Sequence, residues 1–297
     1  MMIRRLSVAV LGLSLCAAPL AAHADATQTY YERTVMLAAD GHCRLFAPEL
    51  ASALAAAGAQ ARGAALRSGA NDLVLDQVAQ RARSKAGAVS CASPDIATAA
   101  ARVRSAFEGY SKLQKMTYPG DVSTWMAVRV SPVRTTVWKL SQSARFGAGS
   151  AMLGLAGRDG GSMLLVTASF PDGALPYTAR LVLRDKAIAS SPYLNTMHAS
   201  AGPLPLPARM PPRRATTALL PEAHSGVDPQ LLPPGARDGT AFRFPKAAAA
   251  SLSALDPREA VAIDFVFAGA GGDQVRTAYF EVGDFAAGRA FLAANQR

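Results

Sequence analysis

The sequence predicts an α+β protein. A disulfide-stapled N-terminal helical bundle leads into an antiparallel β-rich domain, a sandwich or partial barrel, that ends in a strand–strand–helix unit. Three observations predict it. Apolar residues recur at helical spacing between Ala47 and Leu113. The period becomes extended after Tyr118-Pro119-Gly120-Asp121. Two cysteines, Cys43 and Cys91, each stand just outside the start of a helix.

Residues 1–24 read as a cleaved signal peptide. Arg4-Arg5 is a short cationic segment, Leu6 to Leu15 is apolar, and Ala22-His23-Ala24 is an A-x-A cleavage signature. The apolar run is too short to span a bilayer, and no later run reaches membrane length. A lipoprotein box at Leu13-Ser14-Leu15-Cys16 is disfavoured by the bulky Leu15, and the twin-arginine alternative by the Leu6-Ser7-Val8 continuation. A periplasmic or secreted protein beginning at Asp25 is expected. It keeps 29 of the 31 basic residues against 21 acids, hence a charge of +8. Such a chain suits anionic envelope components or acidic protein partners. Nucleic acid is not expected, because the charge is dispersed and accompanies no recognition motif.

Export removes Cys16 and leaves Cys43 and Cys91, which pair in an oxidising compartment. The bridge closes a loop of roughly 50 residues, worth on the order of 4 kcal/mol by chain entropy. A metal site on His42, Cys43 and Cys91 lacks paired ligand spacing, so no metal is expected.

The helical domain covers residues 25–117. Thr29 to Ala39 forms a first helix, ended by Asp40-Gly41. A second starts at Ala47-Pro48-Glu49, with proline in its first turn. Its face comprises Leu50, Leu54, Ala57, Ala61 and Ala65, and Gly69 terminates it. Asn71 caps a third helix with Leu73, Val74 and Val78 inward. Ser93-Pro94-Asp95 opens a fourth, whose seam Ile96, Ala100, Val103, Phe107 and Tyr110 is explained by packing. Arg62, Arg67, Arg102 and Arg104 are expected on solvated faces.

The β-rich domain covers residues 118–297. Strands are expected at 125–130, 135–142, 151–156, 163–169 and 177–183, joined by turns at Gly147-Ala148-Gly149, Arg158-Asp159-Gly160-Gly161 and Pro171-Asp172-Gly173. Short sequential connections imply antiparallel pairing, with Trp125 and Trp138 in the core. Residues 201–239 form a proline-rich strap made basic by Arg209, Arg213 and Arg214. The chain then gives a strand at 241–244, a helix at 245–255, a hairpin of 261–267 with 275–282, and a closing helix capped by Asp284.

That strand–turn–strand ending, with Gly283-Asp284-Phe285-Ala286-Ala287 opening an apolar helix, resembles the end of invasion-associated locus B–type exported proteins. The likeness covers the tail alone, and the second domain here lacks that family's cysteines. More broadly the chain resembles exported proteobacterial proteins. Neither resemblance carries a catalytic residue over.

Catalytic signatures are missing. Gly147-Ala148-Gly149-Ser150 lacks the closing glycine of a nucleophile elbow. Phosphate loop, dinucleotide fingerprint and H-E-x-x-H are all absent, so no cofactor is expected. His198 and His224, beside Ser200, Ser225, Glu222 and Asp228, are the residues from which a triad could be assembled. Asp256, Glu259 and Asp264 cluster in sequence, but capping and solvation account for them. The expected function is therefore a non-catalytic exported envelope protein. It binds a protein partner or an anionic envelope component through Arg209, Arg213 and Arg214. The alternative is a secreted hydrolase with its site near His198 and His224.

Overall fold

A computed structural model of the chain describes residues 19–130, 132–158, 161–194 and 204–293. The signal-peptide core, Cys16, His198 and Ser200 lie outside the described residues.

Four helices come first: α1 (Pro19–Cys43), α2 (Pro48–Arg67), α3 (Asp72–Gly87) and α4 (Pro94–Lys112). Their ends follow the local chemistry. The Asn71 side chain accepts the Val74 N–H and Ser93 accepts that of Asp95, satisfying donors that the first helical turn leaves free. At the end of α2, Gly69 adopts a φ of 105°. There the Gly69 N–H reaches Leu66 O and the Ala70 N–H reaches Ala65 O, a closure that a residue with a Cβ resists. The first helix runs past Asp40-Gly41 to Cys43, where Arg44, with a φ of 52°, turns the chain. Cys43 and Cys91 form a disulfide with a Cα–Cα distance of 5.5 Å, tying the end of α1 to the approach of α4.

α3 faces inward with Leu75, Val78, Ala79, Ala82 and Ala86, not with Leu73 and Val74. Leu73 is 69% exposed. Ala79, Ala82 and Ala86, spaced three and four apart after Leu75, fix the buried face, because alanines at helical spacing admit the close approach of α1.

Eleven strands follow among the described residues, in two antiparallel sheets. The larger has the order β1-β2-β3-β4-β5-β9-β8: β1 (Lys115–Pro119), β2 (Thr124–Val128), β3 (Val137–Phe146), β4 (Gly149–Gly157), β5 (Met163–Ser169), β8 (Ala223–Gly226) and β9 (Thr240–Arg243). The smaller has the order β11-β10-β6-β7: β6 (Thr178–Arg184), β7 (Thr216–Leu219), β10 (Ala260–Phe267) and β11 (Gln274–Glu281). One core joins them. Leu140, Leu153 and Val166 from the larger sheet meet Leu181, Ile263, Phe265 and Phe280 from the smaller. α5 (Lys246–Ser253) and α6 (Phe285–Ala293) add Leu252, Phe285 and Phe291 to this core. Trp125 is fully buried with its ring edge-on to Phe285, while Trp138 is half-buried at a satellite cluster.

The strap differs from the sequence expectation. From Leu204 onward it carries short 3-10 turns and two strands, β7 on the edge of the smaller sheet and β8 on the edge of the larger. Its described prolines lie outside both strands, Pro205, Pro207, Pro211 and Pro212 before β7, Pro221 between the two and Pro229, Pro233 and Pro234 after β8, where no ladder donor is needed. β1 is likewise unforeseen: Tyr118-Pro119 ends a strand, and the boundary turn comes after it.

Candidate functional site

Two constructions in the described structure could serve a function, one apolar and one ionic. The apolar one begins with the α4 seam. Ile96 is buried against α1 and α3 and Ala100 against α1 and α2, but Val103, Phe107 and Tyr110 are only half-buried. Here a groove of about 380 Å³ lies between α2, α4 and β1, with Arg33 of α1 at its wall. Leu50, Leu54, Val103, Phe107 and Met116 line it. From Arg102 to Tyr110 it follows α4 for about 12 Å at 1.5 Å per residue.

Its polar groups are few and uneven. Arg33 and Arg102 both line the groove, and no aspartate or glutamate does. Arg33 donates to Ala57 O and forms no ion pair among the described residues. Burial lowers its pKa, and the neighbouring Glu32 opposes that only in part. Arg102 is exposed. At the far end the buried Tyr110 hydroxyl has no hydrogen-bond partner among the described residues. Tyr118 is near enough to couple with its ionisation but does not meet it in hydrogen-bond geometry. Burial pushes both phenols up, so both are neutral across the physiological range.

The ionic construction lies where strap, helical region and sandwich meet. Glu281, fully buried, accepts the backbone N–H groups of Asp121, Val122 and Ser123 at 2.7, 3.0 and 2.8 Å. Arg209 reaches the same carboxylate at 3.1 Å and Asp121 at 3.1 Å. Arg67 grips Asp284 through two hydrogen bonds of 2.8 and 2.9 Å. Nearby, Arg184 makes a buried bidentate pair with Glu259, at 2.7 and 2.8 Å. Arg258 pairs with Asp256 at 2.9 Å.

Each cation in this construction meets a carboxylate, which is what buried charge requires. Glu259 and Asp256 are thus buried ion-pair members rather than solvated caps. The Asp264 carboxylate accepts the Thr277 hydroxyl at 2.7 Å. The Asp284 carboxylate serves Arg67, so that arginine belongs to the interior and not to a solvated face.

The site residues expected from sequence separate accordingly. Arg209 is buried, and its guanidinium is engaged within the fold, so it is not a surface contact. Arg213 and Arg214 are exposed on the strap. His224 is exposed on β8, and its ring stacks on Phe242 with centroids 4.6 Å apart. Two of the residues expected beside it are engaged elsewhere: Asp228 caps the 3-10 turn at Pro229–Leu231, and the Ser225 hydroxyl donates to Gly226 O. His42 lies beside Cys43 and Cys91, but both sulfurs are committed to the disulfide.

Sequence reasoning missed the groove because it read the α4 seam as fully packed. The signal available was the alanine face of α2, too small to fill the space opposite Phe107 and Tyr110. Compared with known proteins, the chain matches no family model, no curated protein and no solved structure.

Proposed function

We propose that the protein is exported behind a signal peptide cleaved after Ala24 and acts without catalysis, as a binding protein of the cell envelope. The groove between α2 and α4 holds the ligand. One observation carries this reading: three of the five residues of a continuous apolar seam, Val103, Phe107 and Tyr110, line a cavity of about 380 Å³. Apolar concavities of this size with few polar groups are the usual form of small-molecule sites.

Two features support the location and partner class. A disulfide suits an oxidising compartment. Arg213 and Arg214 stand exposed on the strap, where they attract an anionic envelope surface at low salt and are screened at high salt.

The test uses the mature chain from Asp25 and the uncharged apolar probe N-phenyl-1-naphthylamine, whose fluorescence rises in an apolar site. The wild type is expected to bind it. Ala106→Trp, at an exposed position on the groove wall, fills the space and is expected to abolish binding. A wild type that leaves the probe dark overturns the reading, as does an Ala106→Trp variant that binds it equally well.

A further inference from the structure

We infer that the occupant of the α2–α4 groove is a single-chain amphiphile with an anionic head group, its chain along Phe107 and Leu54 and its head held by Arg33 and Arg102. This rests on the binding reading above and deepens it by naming the ligand class.

The sign of the head group comes from the lining. Two arginines face the groove, and no carboxylate does. In the ionic construction every buried arginine has its acid, whereas Arg33 has none among the described residues. A half-buried guanidinium without an ion pair, its burial only partly offset by the neighbouring Glu32, gains from an arriving anion. Arg33 uses one N–H on Ala57 O, and a guanidinium offers five donors in a fork matched to carboxylate or phosphate. Burial already weighs against its charge, which an anion in the groove would relieve.

The single chain follows from size and shape. At about 380 Å³ the groove lies near the lower end of the range for ligand sites, narrow for two acyl chains side by side. Met116 and Leu54 adapt to an unbranched chain, and Phe107 covers it. The unpartnered Tyr110 hydroxyl, buried at the opposite end from Arg102, adds a polar stop with a free donor.

The experiment displaces N-phenyl-1-naphthylamine from the oxidised mature protein with four ligands of equal chain length, below their micelle concentrations. These are dodecanoate, dodecyl phosphate, dodecanol and dodecyltrimethylammonium. At least one anion is expected to displace the probe at about tenfold lower concentration than the alcohol, as charge-assisted hydrogen bonds imply, and the cation least well. The stronger anion identifies the head group as carboxylate or phosphate.

Arg102→Gln removes an exposed side chain and is expected to narrow the gap between anion and alcohol several-fold. Arg33→Gln should narrow it further, with circular dichroism confirming that its helices remain. Equal displacement by alcohol and anion overturns the inference and leaves the binding reading standing. Failure of the probe itself to bind overturns the binding reading as well.

Discussion

Glu281 shows how much one side chain can organise. It lies on the outward side of β11, where a charged residue ordinarily meets water, yet it is fully buried. Its two oxygens collect three successive backbone N–H groups from the turn at 121–123 and the Arg209 guanidinium. Gly120 is required beside it, since a Cβ there would stand 2.4 Å from Oε2. Removing the carboxylate strands three backbone donors and leaves the buried Arg209 with Asp121 as its remaining ion-pair partner. Glu281→Ala is therefore expected to lower stability by about 3–5 kcal/mol, read as a fall in the urea midpoint, with Glu281→Gln in between. None of this was legible in the sequence. A glutamate ending a strand looks solvated, and its backbone partners lie about 160 positions upstream and Arg209 72.

At the scale of elements, local rules were readable wherever a short-range interaction decides the outcome. The Asn71 and Ser93 caps, the Gly69 terminator and the β10–β11 hairpin formed where their residues announced them. What failed was decided by tertiary contact. β1 exists because β2 pairs with it from Lys115↔Val128 to Pro119↔Thr124, not because Lys-Met-Thr-Tyr-Pro favours a strand. β7 and β8 exist because each finds a sheet edge. The groove belongs here too: seam spacing predicts which residues share a face, but not whether a neighbour covers it.

The disulfide also acts on elements, holding α1 to the start of α4 while the other end of α4 lines the groove. A bundle walled by alanines buries little area per residue, so this tether carries a large share of its stability. Cys43→Ser with Cys91→Ser is expected to cost about 2–5 kcal/mol, measured by thermal or urea unfolding under non-reducing conditions. The same variant should bind the naphthylamine probe less tightly, because the groove loses its fixed end.

On the scale of the whole molecule, the helical region and the sandwich meet through charge as well as packing. Arg67 of α2 grips Asp284 at the start of α6, and Gly63 lets that carboxylate approach α2 closely. Arg129, after β2, lies 3.6 Å from the Phe291 ring centroid and donates to the carbonyls of Phe291 and Tyr110. The junction has a pH signature. Burial raises the Asp284 carboxyl, with Arg67 only partly opposing it, and burial together with Glu281 raises Asp121.

A carboxyl whose folded pKa exceeds its unfolded value takes its proton first in the folded state. Its contribution to stability therefore grows as pH falls through the folded pKa and levels off below the unfolded one. The wild type is expected to gain thermal midpoint relative to Asp284→Asn as pH falls from neutral through mild acid. Parallel midpoint curves for the two proteins would exclude Asp284 as the source.

The strap has a mechanical consequence. Within one continuous segment it gives β7 to the smaller sheet and β8 to the larger, with its upstream end pinned at Glu281 by Arg209. It works as a clasp whose two jaws bite different plates. Prising the sheets apart must first peel an edge strand from one of them, since only the short turn at 220–222 links β7 to β8. Slack between the plates is thus limited to what that turn can span, and the sandwich should yield to a pulling force as one body.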